Sequence, residues 1–356
     1  MNAVYKRYIF IAALIALICA GVILNFAVRI TDEIDRVNAY AAENCNLKNF
    51  DFGMLSCYIE DTETDKEGRI TESMVYPDFT FASHRCRSND GSGIWAPMLA
   101  IMIVLLYKHE RSGATADFCA VLPVKSRNKF IVKLLCAAAV VAAMVLANLV
   151  SIYMFNARVD ACNATCQILN MDSIYPIELD LKNIVVIPFL SKMTTAAFML
   201  FLAECTGRAY LPPCIAVLAV YALAGAFGGF YNYLDFYFNI KTSLNLFRAI
   251  ALNYSGYVEN YGWWVSLCGT LIFSLWGLFL SGRGDMSRRG RVFRFRWTER
   301  LTMACIVVCA ALCSFEVMYL FEFNYSVSAG AAAVIMAVVG VTAYFVSRRV
   351  ILLLGR

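Results

Sequence analysis

The stretch Ile131 to Phe155 reads IVKLLCAAAVVAAMVLANLVSIYMF, 25 residues with a single charge, Lys133, near its start. A helix needs roughly 20 residues to cross a hydrocarbon layer of about 30 Å, so this stretch is long enough to do so. It is apolar on every side, with no polar face to turn toward water. In lipid each backbone N–H and C=O must be satisfied within the segment, which a helix does alone. The alternating short strands of an outer-membrane barrel are absent from the sequence.

Working outward, similar blocks recur at about Tyr8 to Val28, Ile94 to Tyr107, Ile184 to Ala203, Pro212 to Phe230, Val265 to Leu280, Leu301 to Phe321 and Ala329 to Val346. The expected fold is therefore an all-α polytopic membrane bundle of about eight transmembrane helices with a small extracellular insert. With 60% hydrophobic and 16% charged residues, too little polar surface remains to cover a soluble globule. The second and sixth blocks are short and should extend into neighbouring sequence, with Trp95, Trp263 and Trp264 as interfacial anchors. The run from Tyr8, preceded by Lys6 and Arg7, could instead be a secretory signal, but it exceeds the roughly 7 to 15 residues of a signal-peptide core and reads first as a span.

Lysine and arginine set the orientation. With the N-terminus inside, inner segments hold about 19 of the 31 basic residues, seven of them between Arg283 and Arg300. Both termini are then expected in the cytoplasm and the chain in the plasma membrane. The net charge of +5 sums two opposite faces and gives no sign of a nucleic-acid partner.

The expected organisation is a first helix at 1–28, an acidic extracellular subdomain at 29–93, and a membrane core at 94–280. That core contains a cytoplasmic loop at 108–129 and an outer aromatic loop at 231–264. A basic cytoplasmic loop at 281–300 and a helical pair at 301–356 follow. Arg69 to Tyr76 is strand-like. The aromatic loop reads either as short interfacial or re-entrant helices or as an ordinary aromatic belt. Cys45, Cys57, Cys86, Cys162 and Cys166 face outward, with Cys162 and Cys166 open to a metal, a disulfide or unpaired surface thiols. Asn163 and Asn253 open sequons.

Within the inner loop, Ala114, Phe118, Val121 and Leu122 recur at helical spacing, Ser112 is a plausible N-cap, and Pro123 ends the run. Such a helix either transmits a partner's push into the bundle or fills the lipid boundary.

The pattern Glu110-Arg111-Ser112-Gly113-x-Thr115-x-Asp117-Phe118, then Leu122-Pro123-Val124-x-Ser126-Arg127 and Lys133, resembles the cytoplasmic loop of type-2 ABC exporter permeases. Arg283 to Arg300, with Phe293-Arg-Phe-Arg-Trp before a further helical pair, is similar to a branch that adds two helices to the usual six. The resemblance implies a transport subunit that pairs with a second permease, as homo- or heterodimer, and with separate ABC ATPase subunits. It implies that Glu110, Gly113, Phe118, Leu122, Pro123 and Arg127 serve ATPase coupling.

A phosphate-cradling Gly-x-x-x-x-Gly-Lys-Ser/Thr motif is absent, since no Gly-Lys pair occurs in the chain. His84 and His109 are the only histidines, and His109-Glu110 lacks the second histidine that a zinc-hydrolase helix requires. No catalytic residues, metal or cofactor are expected. Lys192 and Glu316 are charges at membrane depth, costly enough to need a cavity or a partner, and they could serve each other. Asn148 is expected to bond a neighbouring helix. The rival readings are a secondary transporter using Lys192 and Glu316, and a sensor or receptor whose 29–93 domain binds an external ligand.

Overall fold

The computed structural model describes residues 3–44, 47, 50–64, 70–88, 95–111, 125–239, 262–283, 292–320 and 327–354. The first elements are α1 (Ala3–Asn44), β1 (Cys57–Thr64), β2 (Ile70–Pro77), α2 (Phe79–Ser88) and α3 (Trp95–Arg111). Next come α4 (Ser126–Asn156), α5 (Val159–Ile168), a π-helical turn (Lys182–Val186) and α6 (Ile187–Cys205). The chain continues through α7 (Leu211–Phe238), α8 (Gly262–Ser281), α9 (Arg296–Leu320) and α10 (Ala329–Leu354). Among the described residues six helical stretches are long and apolar enough to cross a membrane: Val4–Asn44, Ser126–Asn156, Lys182–Cys205, Trp263–Ser281, Arg296–Tyr319 and Ala329–Leu353. Trp95–Lys108 is apolar but shorter.

Helix boundaries follow local chemistry. Pro212 and Pro213 occupy the first turn of α7, where their missing N–H groups cost nothing, and Asn239 closes the helix in the left-handed conformation. The expected sixth block extends back to Gly262 and takes in both tryptophans. Over the described part of the aromatic run no separate short helix forms. Phe230 to Phe238 continue α7 as regular helix, and Tyr233 and Tyr237 pack their rings against Phe315 of α9. Residues 240–261, including Tyr254 and Tyr257, lie outside the described residues.

The chain divides into two compact units. The first comprises Met1–Ala12, Leu99–Ala138 and Ile187–Arg356, and in it α6 packs on α7 and α8, and α9 on α7 and α10. The α7–α9 contact is built on Gly225 and Gly229, spaced as small-x-x-x-small. A Cβ at Gly229 would stand 1.9 Å from the Leu312 carbonyl oxygen, so only glycine allows this approach. At the α6–α8 crossing Thr194 donates to the Ser266 carbonyl at 2.7 Å and lies 2.9 Å from the Thr270 hydroxyl. On α9 and α10 Val308, Val334, Val338 and Phe345 are each more than half exposed, a surface suited to lipid.

The second unit comprises Ala13–Met98 and Ala139–Val186. The helix expected to stop at Val28 runs on to Asn44 because Ile30, Ile34, Val37 and Ala41 form one buried face. That face joins Phe52, Leu55, Phe79, Ile152, Phe155 and Val159 in a single core. An antiparallel hairpin pairs Cys57 with Pro77 and Tyr58 with Tyr76, matching the strand expected at Arg69 to Tyr76. Asp78 caps α2 by accepting from the Phe81 N–H at 2.8 Å. Gly53 adopts φ +54, and a Cβ there would meet the Glu33 carboxylate at 3.1 Å.

After α5 the chain runs without regular structure from Met171 to Asp180. Two asparagines satisfy its backbone: Asn156 exchanges two hydrogen bonds with Ile177, each 2.9 Å, and Asn163 exchanges two with Ile174, at 3.0 and 2.7 Å. The Asn163 sequon is thus occupied structurally, since Thr165 is buried and donates to Asn38 at 2.7 Å. The reading of Cys162 and Cys166 as surface thiols fails. Cys86, Cys162 and Cys166 are free and buried in the core, whereas Cys57 is exposed. Burial pushes the thiols of Cys86 and Cys162 up to about 12. Cys45 and Asn253 lie outside the described residues.

Candidate functional site

The described residues stop at Arg111 and resume at Lys125, so Gly113, Phe118, Leu122 and Pro123 lie outside them. The described residues on either side of this stretch share one feature. It is a cluster of charges drawn from five segments of the first unit.

Glu110, near the end of α3, points inward. Lys133, about two turns into α4, places its ammonium 2.5 Å from Glu110 Oε2, and the Tyr8 hydroxyl of α1 donates to Oε1. The Lys133 side chain is 1% exposed and that of Glu110 is 19% exposed, so this is a desolvated pair. The ammonium also sits over two rings, 3.5 Å from the Tyr107 centroid and 5.4 Å from that of Tyr8. Burial alone would raise the Glu110 carboxyl, but Lys133 and the Tyr8 hydrogen bond outweigh it and hold the group below its ordinary value.

A second carboxylate, Glu204 at the end of α6, completes the arrangement. It accepts from the Tyr107 hydroxyl at 2.7 Å and from Arg294 at 2.9 Å. Arg111 stacks on the Tyr107 ring at 4.5 Å, donates to the Ala203 carbonyl, and reaches the Arg208 carbonyl at 3.3 Å. Backbone pairing fixes the Arg294 segment beside α6: Gly207 N–H donates to the Val292 carbonyl at 3.0 Å, and Arg294 N–H to that of Cys205 at 2.9 Å. Three cations therefore face two carboxylates. The cluster joins the start of α1, the end of α3, the start of α4, the end of α6 and the approach to α9.

The other sequence-predicted residues lie elsewhere. Arg127 is exposed on the first turn of α4 with its guanidinium against Gly282. Lys192 is half-buried on α6 and Asn148 is buried on α4, in the second unit. Glu316 of α9 accepts from Asn232 Nδ2 of α7 at 2.7 Å and lies against Gly228. Tyr8, Tyr107, Arg111, Glu204 and Arg294 are not legible as site residues in the sequence, although the first four stand where an apolar run meets polar sequence. That position was the one available signal.

No protein-family model matches this sequence, and no curated protein or solved structure matches it either.

Proposed function

We propose that this chain is the transmembrane permease subunit of an ATP-binding-cassette exporter. It couples ATP hydrolysis by a separate ABC ATPase subunit to movement of a substrate across the plasma membrane. The observation that carries this reading is the buried network of Tyr8, Glu110, Lys133, Tyr107, Glu204 and Arg294 at the base of the 112–124 loop. A lever transmits force only if its foot is stiff. Desolvated ion pairs with both carboxylate oxygens engaged give that stiffness at both ends of the loop.

In this reading α3 and α7 cross the membrane together with the six long apolar stretches, giving eight spans with both termini cytoplasmic. The 29–93 insert is then outside, and a second permease, identical or related, completes the transporter. Gly113, Phe118, Leu122 and Pro123 form the docking surface, while Glu110 and Arg127 belong to its foot. Glu110 supports the loop from below because both its oxygens are occupied.

Copurification from native membranes in mild detergent tests the proposal. An ATP-binding subunit should accompany the chain, and Phe118→Ala should release it without unfolding the permease. Recovery of the intact chain with no such subunit would refute it.

A sensor or receptor remains the second reading, favoured by the separate core of the second unit. It predicts ligand-dependent protection of that unit and no associated ATP hydrolysis.

A further inference from the structure

We propose that the end of α8 and the start of α4 form a binding site for an anionic phospholipid. The site is independent of the transporter reading and requires only that the bundle sit in a bilayer.

The two helix ends are held together by glycines. The Phe130 ring fills the space beside Gly277, where a Cβ would lie 2.4 Å from its Cζ. One turn earlier on α4, Arg127 lies flat on Gly282, where a Cβ would stand 3.0 Å from Nε. The next residue, Arg283, folds back over the Phe279 ring with its guanidinium carbon 3.9 Å from the centroid. Two exposed arginines thus lie at one helix terminus. Among the described residues neither has an ion-pair partner. A helix C-terminus carries about half a negative charge, which accounts for one nearby cation but not two. Phosphate geometry suits paired arginines.

Below the charges the same face of α8 is apolar and open. Ile272, Leu275, Trp276 and Phe279 precede Arg283 at helical spacing and are 52%, 64%, 50% and 45% exposed. Acyl chains would lie along these residues while the headgroup phosphate meets Arg127 and Arg283. The continuity of charge and apolar surface favours a lipid over a free anion.

Native mass spectrometry of the full chain in detergent, titrated with phosphatidylglycerol or phosphatidylcholine of identical chains, tests the site. Wild type should retain phosphatidylglycerol preferentially. Arg127→Gln or Arg283→Gln should each cut that preference about fivefold, and together about thirtyfold. The Arg127→Lys/Arg283→Lys chain, which keeps the charge but loses the planar fork, should fall between wild type and the double glutamine variant, and Trp276→Ala should weaken both lipids alike. Equal retention of the two lipids by wild type, or an unchanged preference in the double glutamine variant, would overturn the proposal. So would displacement of phosphatidylglycerol by millimolar inorganic phosphate, which would mark an anion site without a lipid requirement.

Discussion

Lys133 and Glu110 face each other at 2.5 Å across the gap where the chain leaves α3 and returns into α4, with the ammonium almost wholly withdrawn from solvent. The pair closes the loop's two ends onto each other. Removing one member of such a desolvated pair strands the other charge, which costs about 3–5 kcal/mol. Lys133→Met should therefore lower the detergent melting temperature sharply. The Glu110→Gln/Lys133→Met chain should lose much less than the sum of the single changes, and additive losses in that cycle would show the two residues to be uncoupled.

Glu110 also makes the cluster sensitive to acid. Its folded carboxyl lies below the ordinary value, so its contribution is present above the unfolded range of about 4.3 and disappears as pH falls through the lowered folded value. The stability difference between wild type and Glu110→Gln should be full at pH 7 and vanish in strong acid. A difference that is flat with pH would contradict the ion-pair account.

The glycine seam between α7 and α9 admits no methyl group at one position. With the Leu312 carbonyl 1.9 Å from the site of a Cβ, Gly229→Ala must push the helices apart. Overpacking of this kind typically costs about 1–3 kcal/mol. Gly21, around which no atom lies within 4 Å of a Cβ, should accept alanine without loss. Paired thermal melts of the two variants distinguish a packing seam from a general glycine requirement.

Thiol accessibility provides a check on the second unit. Cys57 is exposed, whereas Cys162 and Cys166 are fully enclosed and the Cys162 thiol is pushed up to about 12. A maleimide at pH 7 should modify Cys57 rapidly and the other two only on unfolding. Prompt labelling of Cys162 in the folded chain would contradict the packing described.

What the sequence revealed follows from which forces are local. Apolar runs such as Ile131 to Phe155 need no partner to declare themselves, and α4 occupies Ser126–Asn156 accordingly. The extension of α1 was hidden because acidic residues surround Ile30, Ile34, Val37 and Ala41, and charge density masked their helical spacing. The charged cluster was only half legible. Lys133 stood out as a cation entering an apolar run, but Glu204 and Arg294 lie 90 residues apart, and only the fold brings them together. For the same reason Glu316 could not be matched in advance with Asn232, 84 residues away. The aromatic residues of α7 were ambiguous because amphipathic rings suit a membrane interface and a helix–helix contact equally.

The most direct test of the central claim is site-specific photocrosslinking from Phe118 in native membranes. If the loop above the Glu110–Lys133 foot is a cytosolic lever, a photoreactive side chain there should capture an ATP-binding subunit. The capture should fall when Lys133→Met loosens the foot. Crosslinks to lipid alone, or labelling of position 118 by an impermeant reagent from outside the cell, would contradict the account.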